Sequence, residues 1–303
     1  MRNNSLWNEM RQTLLRNNSI VLQLIAINVA VFLLISIARL IFWLSGNGLD
    51  TYYFKDFLGV PSDLSTLLHQ PWTLVTHMFT HGEIFHILFN MLLLYWFGTI
   101  LTEFMGVRKI LPVYILGGLA GAILFIISYQ FFPVFNAVVP EARAWGASAS
   151  AMAIMVAAAT LVPDYVIFLI FLGPVKIKWI ALVTVVIDLI SIPSSNAGGH
   201  IAHLGGALFG VFFVKQMQQG RDLSVGVNWL FDKVVSLFEN RQPLKVSHRN
   251  RKRPLKSTAK KSSTPSARQE KLDSILDKIA LSGYESLSKE EKEFLFLVSK
   301  EES

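Results

Sequence analysis

Residues 20–44 read IVLQLIAINVAVFLLISIARLIFWL, an apolar run in which Arg39 is the only charged residue. A helix needs roughly 20 apolar residues to cross the hydrocarbon core of a bilayer. The run is too long for the core of a signal peptide and lacks a small-residue cleavage site, so it predicts a retained membrane span.

The composition of the whole chain is typical of a membrane protein. Of 303 residues, 52% are hydrophobic and only 16% are charged, and the mean hydropathy is +0.45. An ordinary soluble domain has about 25% charged residues. Most charged residues follow residue 217, so soluble, disordered and fibrous classes are excluded for the first two thirds of the chain. The absence of cysteine excludes disulfide scaffolds, thiol catalysis and cysteine-based metal sites.

Five further apolar runs predict five further spans, at about 85–104, 110–131, 147–162, 177–193 and 200–217. Short connections rich in Lys and Arg stay on the cytoplasmic side of a membrane. Basic residues cluster in the N-terminal segment and in the second-to-third and fourth-to-fifth connections. The predicted fold is therefore an all-α, six-transmembrane-helix bundle in the cell's inner (cytoplasmic) membrane, with both termini cytoplasmic.

Spans two, four and six then run from outside to inside, and each carries polar residues near its outer end. On span two, His86 and Asn90 are four residues apart and share one helix face. Polar residues inside a membrane cost free energy, so each needs a partner or a function. The pair could instead bond neighbouring helices and simply hold the bundle together.

Span four begins Gly146-Ala147-Ser148, and too few residues separate it from Pro163 to cross a full bilayer. Its outer end must start below the membrane surface, which exposes unpaired N–H groups beside the Ser148 hydroxyl. Such groups favour binding of an anion. The alternative is a small-residue packing face that happens to contain serine.

Span six begins GHIAHLGGALFG at residue 199, and its Gly206 and Gly210 form a G-x-x-x-G pair that lets another helix approach closely. The natural partner is span four, which would bring His203 within reach of Ser148. An imidazole beside a serine is the minimum needed to activate the hydroxyl. We interpret His200, nearer the helix end, as a solvated interfacial residue.

Over about residues 45–217 these motifs resemble those of the rhomboid family of intramembrane serine proteases. The resemblance rests on H-x-x-x-N in span two, G-x-S opening span four, and A-H-x-x-G-x-x-x-G in span six. It implies that Ser148 is the nucleophile and His203 its base. His86, Asn90 and the Ser148 backbone N–H would stabilise the oxyanion.

The resemblance also implies a rhomboid-type bundle with Gly146, Gly206 and Gly210 packed next to the site, which opens to the outer side. The family uses a Ser/His dyad with no third acid and no cofactor. Its substrates are single-pass or multi-pass membrane proteins, cleaved in or next to their transmembrane helices.

One position departs from the family pattern, because Ala149 follows the serine where the family usually has glycine. This supports an alternative, a catalytically silent rhomboid-like protein that binds or escorts transmembrane helices. Asp188 in span five is level with the site. We favour the interpretation that Asp188 snorkels or forms a hydrogen bond between helices. The alternative is that Asp188 orients His203.

A metal-handling site is a further alternative, since imidazole and carboxylate groups suit zinc. Its ligands would be His81, Glu83, His86, His200 and His203. His81 and His86 lie at span two, whereas His200 and His203 lie on span six. The spans also lack a series of acidic residues along which an ion could cross the membrane. We therefore predict no metal.

The ends of the chain differ from its centre. Residues 1–19 predict a cytoplasmic amphipathic segment, 20–217 the membrane domain, and 218–267 a basic cytoplasmic linker. The linker should be attracted to anionic headgroups. No nucleic acid is expected as a partner, because no aromatic platform accompanies the charges.

Residues 268–303 predict a small cytoplasmic helical hairpin of unknown role. Apolar residues at helical spacing end at Gly283, and Ser288 with Glu291 forms a capping box ahead of a second apolar run.

Overall fold

The computed structural model describes residues 20–46, 51–193, 196–238 and 267–301. The predicted amphipathic segment 1–19 lies outside the described residues. The chain divides into two compact units, Met1–Asn240 and Arg241–Ser303.

The first unit is a helical bundle. In chain order its helices are α1 (Ile20–Leu44), α2 (Thr51–Leu58), α3 (Leu64–His69), α4 (Thr73–Thr76), α5 (Ile84–Met105), α6 (Ile110–Phe131), α7 (Ser148–Leu161), α8 (Ile177–Ser191), α9 (Ala197–Gln218) and α10 (Val225–Phe238). Single turns of 3-10 helix lie at His77–Phe79, Val107–Lys109 and Pro133–Phe135.

Among the described residues, 4 helical segments are long and apolar enough to cross a membrane: Ile20–Leu44, Ile84–Met105, Val107–Phe131 and Ala197–Gln218. Helices α7 and α8 have 14 and 15 residues. At 1.5 Å per residue they are roughly 21–23 Å long, short of the roughly 30 Å hydrocarbon core. Helices thus occur at all the predicted span positions, but α7 and α8 lack the length of a complete span.

Helix α7 lies at the centre of the bundle. Every residue from Ala149 to Ala159 is buried. The helix packs chiefly against α9, and also against α6 and α5. Its alanine-rich sequence leaves little side-chain bulk between the backbones, which is how membrane helices approach one another closely.

Glycines on α9 set the distance between α9 and α7. A Cβ atom at Gly210 would lie 2.5 Å from the Ala153 carbonyl oxygen, and one at Gly206 would overlap the carbonyl of Ala149. Both positions therefore exclude any side chain, and the two backbones are in contact there.

The connection between α1 and α5 is folded against the bundle. Strand β1 (Val60–Pro61) pairs antiparallel with β2 (Arg143–Ala144), so this connection is joined to the segment just before α7. Several large apolar side chains remain exposed on the connection: Tyr53, Phe57, Leu64, Leu68 and Trp72.

A buried polar network ties α1 to the same connection. The Asn28 amide donates to the Tyr114 hydroxyl at 3.0 Å, and that hydroxyl donates to the Met78 carbonyl at 2.8 Å. Because polar groups at this depth are costly unless paired, the network fixes α1 against α6.

The opposite end of the bundle carries ion pairs. An antiparallel hairpin, β3 (Val166–Leu169) with β4 (Gly173–Lys176), joins α7 to α8. Asp164, just before β3, accepts hydrogen bonds from Lys178 at 2.8 Å and Lys176 at 2.9 Å. These lysines lower the pKa of the Asp164 carboxyl to about 2.

The segment predicted as a linker begins with helix α10. Asp222 accepts a hydrogen bond from Lys109 at 2.5 Å, and Asp232 forms an ion pair with Arg108. The basic connection between α5 and α6 therefore holds the start of this segment. Residues 239–266, with most of its basic cluster, lie outside the described residues.

The second unit contains α11 (Ala267–Ser282) and α12 (Lys289–Glu301). The Ser288 N–H donates to the Glu291 carboxylate at 2.7 Å, and the Glu291 N–H donates to the Ser288 hydroxyl at 3.2 Å. These two bonds form the capping box. Lys278 on α11 also donates to Glu291, at 2.9 Å, and so joins the two helices.

We expect Gly206→Ala to destabilise the bundle by about 1–3 kcal/mol, the usual cost of forcing extra bulk into a packed interface. The reason is the overlap of the new methyl group with the Ala149 carbonyl. The measurement is the thermal unfolding midpoint of the purified protein in detergent.

Gly226→Ala is the matched control. A Cβ at position 226, on α10, meets no atom within 4 Å. Alanine is the better helix former by about 1 kcal/mol, so this variant should be neutral or slightly stabilising. Equal midpoints for both variants would contradict the close contact of α7 with α9.

Candidate active site

One cavity of about 670 Å³ is lined by Ser148, His203, His86 and Asn90 together. These residues come from the N-terminal parts of α7, α9 and α5, so three helices begin around the same space. The cavity is further lined by Lys55, Gly82, Glu83, Phe85, Phe89, Arg143, Ala144, Trp145, Asn196 and Gly199. The four side chains singled out in the sequence thus share one cavity.

The turn that presents Ser148 is held by two histidines of the preceding connection. The Gly146 N–H donates to the His77 carbonyl at 2.8 Å, and the Ala147 N–H donates to His81 Nε2 at 3.2 Å. Gly146 has a φ of 120°, a conformation that favours glycine. These bonds fix the point where α7 begins, and with it the position of Ser148.

His81 acts in this turn as a hydrogen-bond acceptor, which requires a neutral ring. Burial lowers the pKa of His81 to about 3, and the neighbouring His86 ring adds to the effect. In the sequence, His81 is a candidate only for a metal ligand. Its role in the turn was missed, because the bond joins a side chain to a distant backbone N–H.

The His86 ring lies directly against the serine turn. A Cβ at Gly146 would lie 2.7 Å from His86 Cε1 and 3.7 Å from Ser148 Oγ. Asn90, one helical turn further along α5, is buried, and its side-chain nitrogen has no hydrogen-bond partner within the described part of the chain. A buried donor without a partner is costly, so Asn90 is available to a group that enters the cavity.

His203 is held from its other side by a carboxylate. Its Nδ1 donates to Asp188 Oδ1 at 2.9 Å, and His200 Nδ1 donates to the same oxygen at 2.7 Å. Asp188, on α8, is 5% exposed. A carboxylate oxygen can only accept a hydrogen bond, so the His203 proton resides on Nδ1 and its Nε2 carries a free lone pair.

Of two interpretations from the sequence, one is wrong and the other is confirmed. His200 is not simply a solvated interfacial residue, because it shares the Asp188 carboxylate with His203. Asp188 bonds between helices, as favoured, and one of its two partners is His203, the residue that the alternative interpretation named. Two features of the sequence could have indicated this cluster. His200 and His203 have H-x-x-H spacing, and Asp188 is expected at the same depth on the neighbouring span.

The methyl group of Ala149 packs away from the serine hydroxyl. A Cβ at Gly121, on α6, would lie 2.6 Å from the Ala149 Cβ, so the extra methyl occupies a space that Gly121 leaves open. The departure at position 149 is thus matched by a glycine on the neighbouring helix.

Charged and aromatic groups surround the opening of the cavity. The Lys55 ammonium lies 5.6 Å from the centre of the Trp145 ring. Arg143 donates to Asp56 at 3.0 Å and to the Gln70 side chain at 3.2 Å. These contacts link the connection before α5 to the segment before α7 and shape the entrance.

The five potential ligands considered for zinc do not converge. His81 bonds to the Ala147 N–H, and His86 packs on Gly146. Among the described residues, the group whose ligand atoms lie within 4.8 Å of one another is Asp188, His200 and His203.

Together these groups supply the chemical components of acyl transfer: a hydroxyl, an imidazole bonded through Nδ1 to a carboxylate, and a buried amide donor with no partner among the described residues. The site is concave and includes polar groups, so water can take part in a reaction there.

Residues 68–218 match the Rhomboid domain family. Residues 262–301 match a family of unknown function (DUF6576). This range contains the whole of α11 and α12.

Two curated proteins are similar to this chain. RHOMBOID-like protein 12, mitochondrial, from Arabidopsis thaliana is 27% identical over 219 residues, which are 68% of this chain and 61% of that protein. Presenilin-associated rhomboid-like protein A, mitochondrial, from Danio rerio is 28% identical over 145 residues, 46% of this chain and 36% of that protein. The chain thus spans less than two thirds of either relative.

Proposed function

Because the chain belongs to the rhomboid family, we propose that it is an intramembrane serine protease that uses Ser148 as nucleophile and His203 as base. The observation that carries the proposal is the shared cavity in which both residues lie with His86 and Asn90. The substrates are single-pass or multi-pass membrane proteins, cleaved in or next to a transmembrane helix.

The reaction starts at the serine hydroxyl. Ser148 Oγ attacks the carbonyl carbon of the scissile peptide bond while its proton passes to His203 Nε2. His203 then donates that proton to the leaving amine, and an ester between Ser148 and the substrate remains. Water, deprotonated by His203, attacks this ester. His203 then returns the proton to Ser148 Oγ as the acid product leaves, which restores the serine hydroxyl and the neutral imidazole.

The developing oxyanion is stabilised by donors that lack other partners. The Asn90 amide is buried and unpaired within the described residues, and His86 packs beside the serine turn. The Ser148 N–H lies in the first turn of α7, where backbone N–H groups have no partner inside the helix. Such fixed donors act strongly in a site of low polarity.

Asp188 serves as a positioning residue for His203. Its bond to Nδ1 fixes the tautomer and the ring orientation, and it stabilises the imidazolium that forms when Nε2 takes the proton. In this respect the chain departs from a simple dyad.

We further propose six membrane crossings, cytoplasmic termini, and a site that opens to the outer side of the cell's inner (cytoplasmic) membrane. The basic connections support this orientation. The names of the two relatives place those proteins in mitochondria. The lengths of α7 and α8 fit segments that start or end inside the bilayer, facing protein or water.

The alternative of a catalytically silent protein that binds transmembrane helices rests on Ala149. The packing of its methyl group against Gly121 leaves the substrate cavity unobstructed, which favours the protease.

Ser148→Ala and His203→Ala should each reduce cleavage of a membrane-anchored substrate by about 10³-fold or more, since removal of either group disables the whole unit. Cleavage is measured with purified enzyme and substrate in proteoliposomes. Each variant should keep the thermal midpoint of the wild type, which separates loss of chemistry from loss of fold.

Ser150→Ala is the matched control, because it removes a serine hydroxyl from the same helix turn. Ser150 is fully buried and packs against Gly118 rather than the cavity lining. The Ser150→Ala variant should cleave the substrate at close to the wild-type rate. Wild-type cleavage by Ser148→Ala, or equal loss in both serine variants, would refute the assignment of the nucleophile.

Asp188→Asn tests the positioning role. An amide can present an N–H to His203 and so favour the wrong tautomer, and kcat should fall by at least about 100-fold. Since Asp188 does not line the cavity with Ser148, KM should remain near the wild-type value. A kcat within about twofold of wild type, or a change confined to KM, would contradict this role.

A further inference from the structure

Asp188, His200 and His203 form a compact cluster. It contains more hydrogen-bonding groups than the proposed protease needs to position His203. His200 and His203 lie three residues apart on one face of α9, and Asp188 reaches them from α8. One ligand atom from each of the three side chains lies within 4.8 Å of those of the other two. The Nδ1 atoms of His200 and His203 lie 2.7 and 2.9 Å from Asp188 Oδ1.

Positioning of His203 requires one carboxylate oxygen and one bond. The cluster holds more than that: His200 takes up the same oxygen at 2.7 Å. The second oxygen, Asp188 Oδ2, is buried with no hydrogen-bond partner within the described residues. A buried carboxylate oxygen without a partner costs free energy, so it marks a place where a cation would be favoured.

Two imidazoles and one carboxylate are a donor set that zinc accepts. Zinc sites with three protein ligands of this kind keep a further position for water. Imidazole nitrogen binds zinc at about 2.0–2.1 Å, so the three donors would have to draw together around the ion. The two histidine side chains are 21% and 19% exposed, so an ion has access to them from outside.

We propose that Asp188, His200 and His203 form a binding site for a divalent transition-metal ion such as Zn²⁺, and that the bound ion switches the protease off. The second half of this proposal rests on the proposed function. The first half does not.

The switch follows from the two nitrogens of His203. In the metal-free cluster Nδ1 carries the proton and donates to Asp188, which leaves the Nε2 lone pair for Ser148. A metal ion on Nδ1 needs the lone pair there, so the ring proton moves through solvent to Nε2. No proton is lost from the neutral ring, but Nε2–H can no longer accept the serine proton. The bound ion also takes the Asp188 carboxylate away from its positioning bond.

His200 makes the site testable apart from catalysis, because the proposed peptide hydrolysis uses it in no step. The binding experiment uses the full-length chain carrying Ser148→Ala, purified in detergent and treated with chelator. Zn²⁺ is titrated against a chromophoric zinc indicator, and Co²⁺ binding is followed by its visible absorption. We expect one ion per chain and the intense Co²⁺ bands of a four-coordinate site.

His200→Ala in the same background should weaken Zn²⁺ binding by more than the roughly 10- to 100-fold that loss of an outer-shell partner costs. His69→Ala is the matched control, since that exposed histidine bonds the Ser65 carbonyl of its own helix. It should bind Zn²⁺ as tightly as its parent. Absence of stoichiometric binding, or equal affinities of the His200 and His69 variants, would overturn the site.

The switch is then tested with the wild-type serine. Zn²⁺ should abolish substrate cleavage over the same concentration range in which it binds, and chelator should restore it. Full cleavage at saturating Zn²⁺ would overturn the switch while leaving the site. Binding by a wild-type chain that never cleaves substrate would instead count against the proposed function, so the two failures are distinguishable.

Discussion

The contact between the backbones of α7 and α9 is the constraint on which the rest of the molecule depends. Gly206 and Gly210 present no side chains to α7, and the carbonyls of Ala149 and Ala153 occupy the space they leave. Lipid tails are as apolar as leucine, so membrane helices gain little from burying apolar side chains and associate through close packing. Here that packing allows a short, alanine-rich helix to lie fully inside the bundle.

The position of the site follows from this arrangement. Helix α7 has 14 residues, too few to cross a full hydrocarbon core, and its first residue, Ser148, lines a cavity within the bundle. The same close packing brings the start of α9, and thus His203, to that cavity. Polar groups that would be costly in lipid then face one another or the cavity, which gives them a chemical use.

The sequence predicted much of this because its signals are local. Apolar runs located the helices, and motif spacing placed Ser148 and His203 in one cavity. The shortness of α7 was predicted from Pro163, but the length of α8, the surroundings of His200 and the two hydrogen bonds to Asp188 were not fixed by local pattern. The hydrogen bonds to Asp188 depend on the packing of α8 against α9, which no periodicity encodes. His77 and His81 were missed as supports of the serine turn for a similar reason, since their bonds join segments more than sixty residues apart.

Covalent labelling shows whether the surroundings of the Ser148 hydroxyl activate it, and it needs no knowledge of the substrate. A serine-directed fluorophosphonate probe, applied to folded protein in detergent, should label one site per chain. Labelling should disappear in Ser148→Ala and persist in Ser150→Ala. Folded wild-type protein that stays unlabelled, or label that remains in Ser148→Ala, would contradict the account.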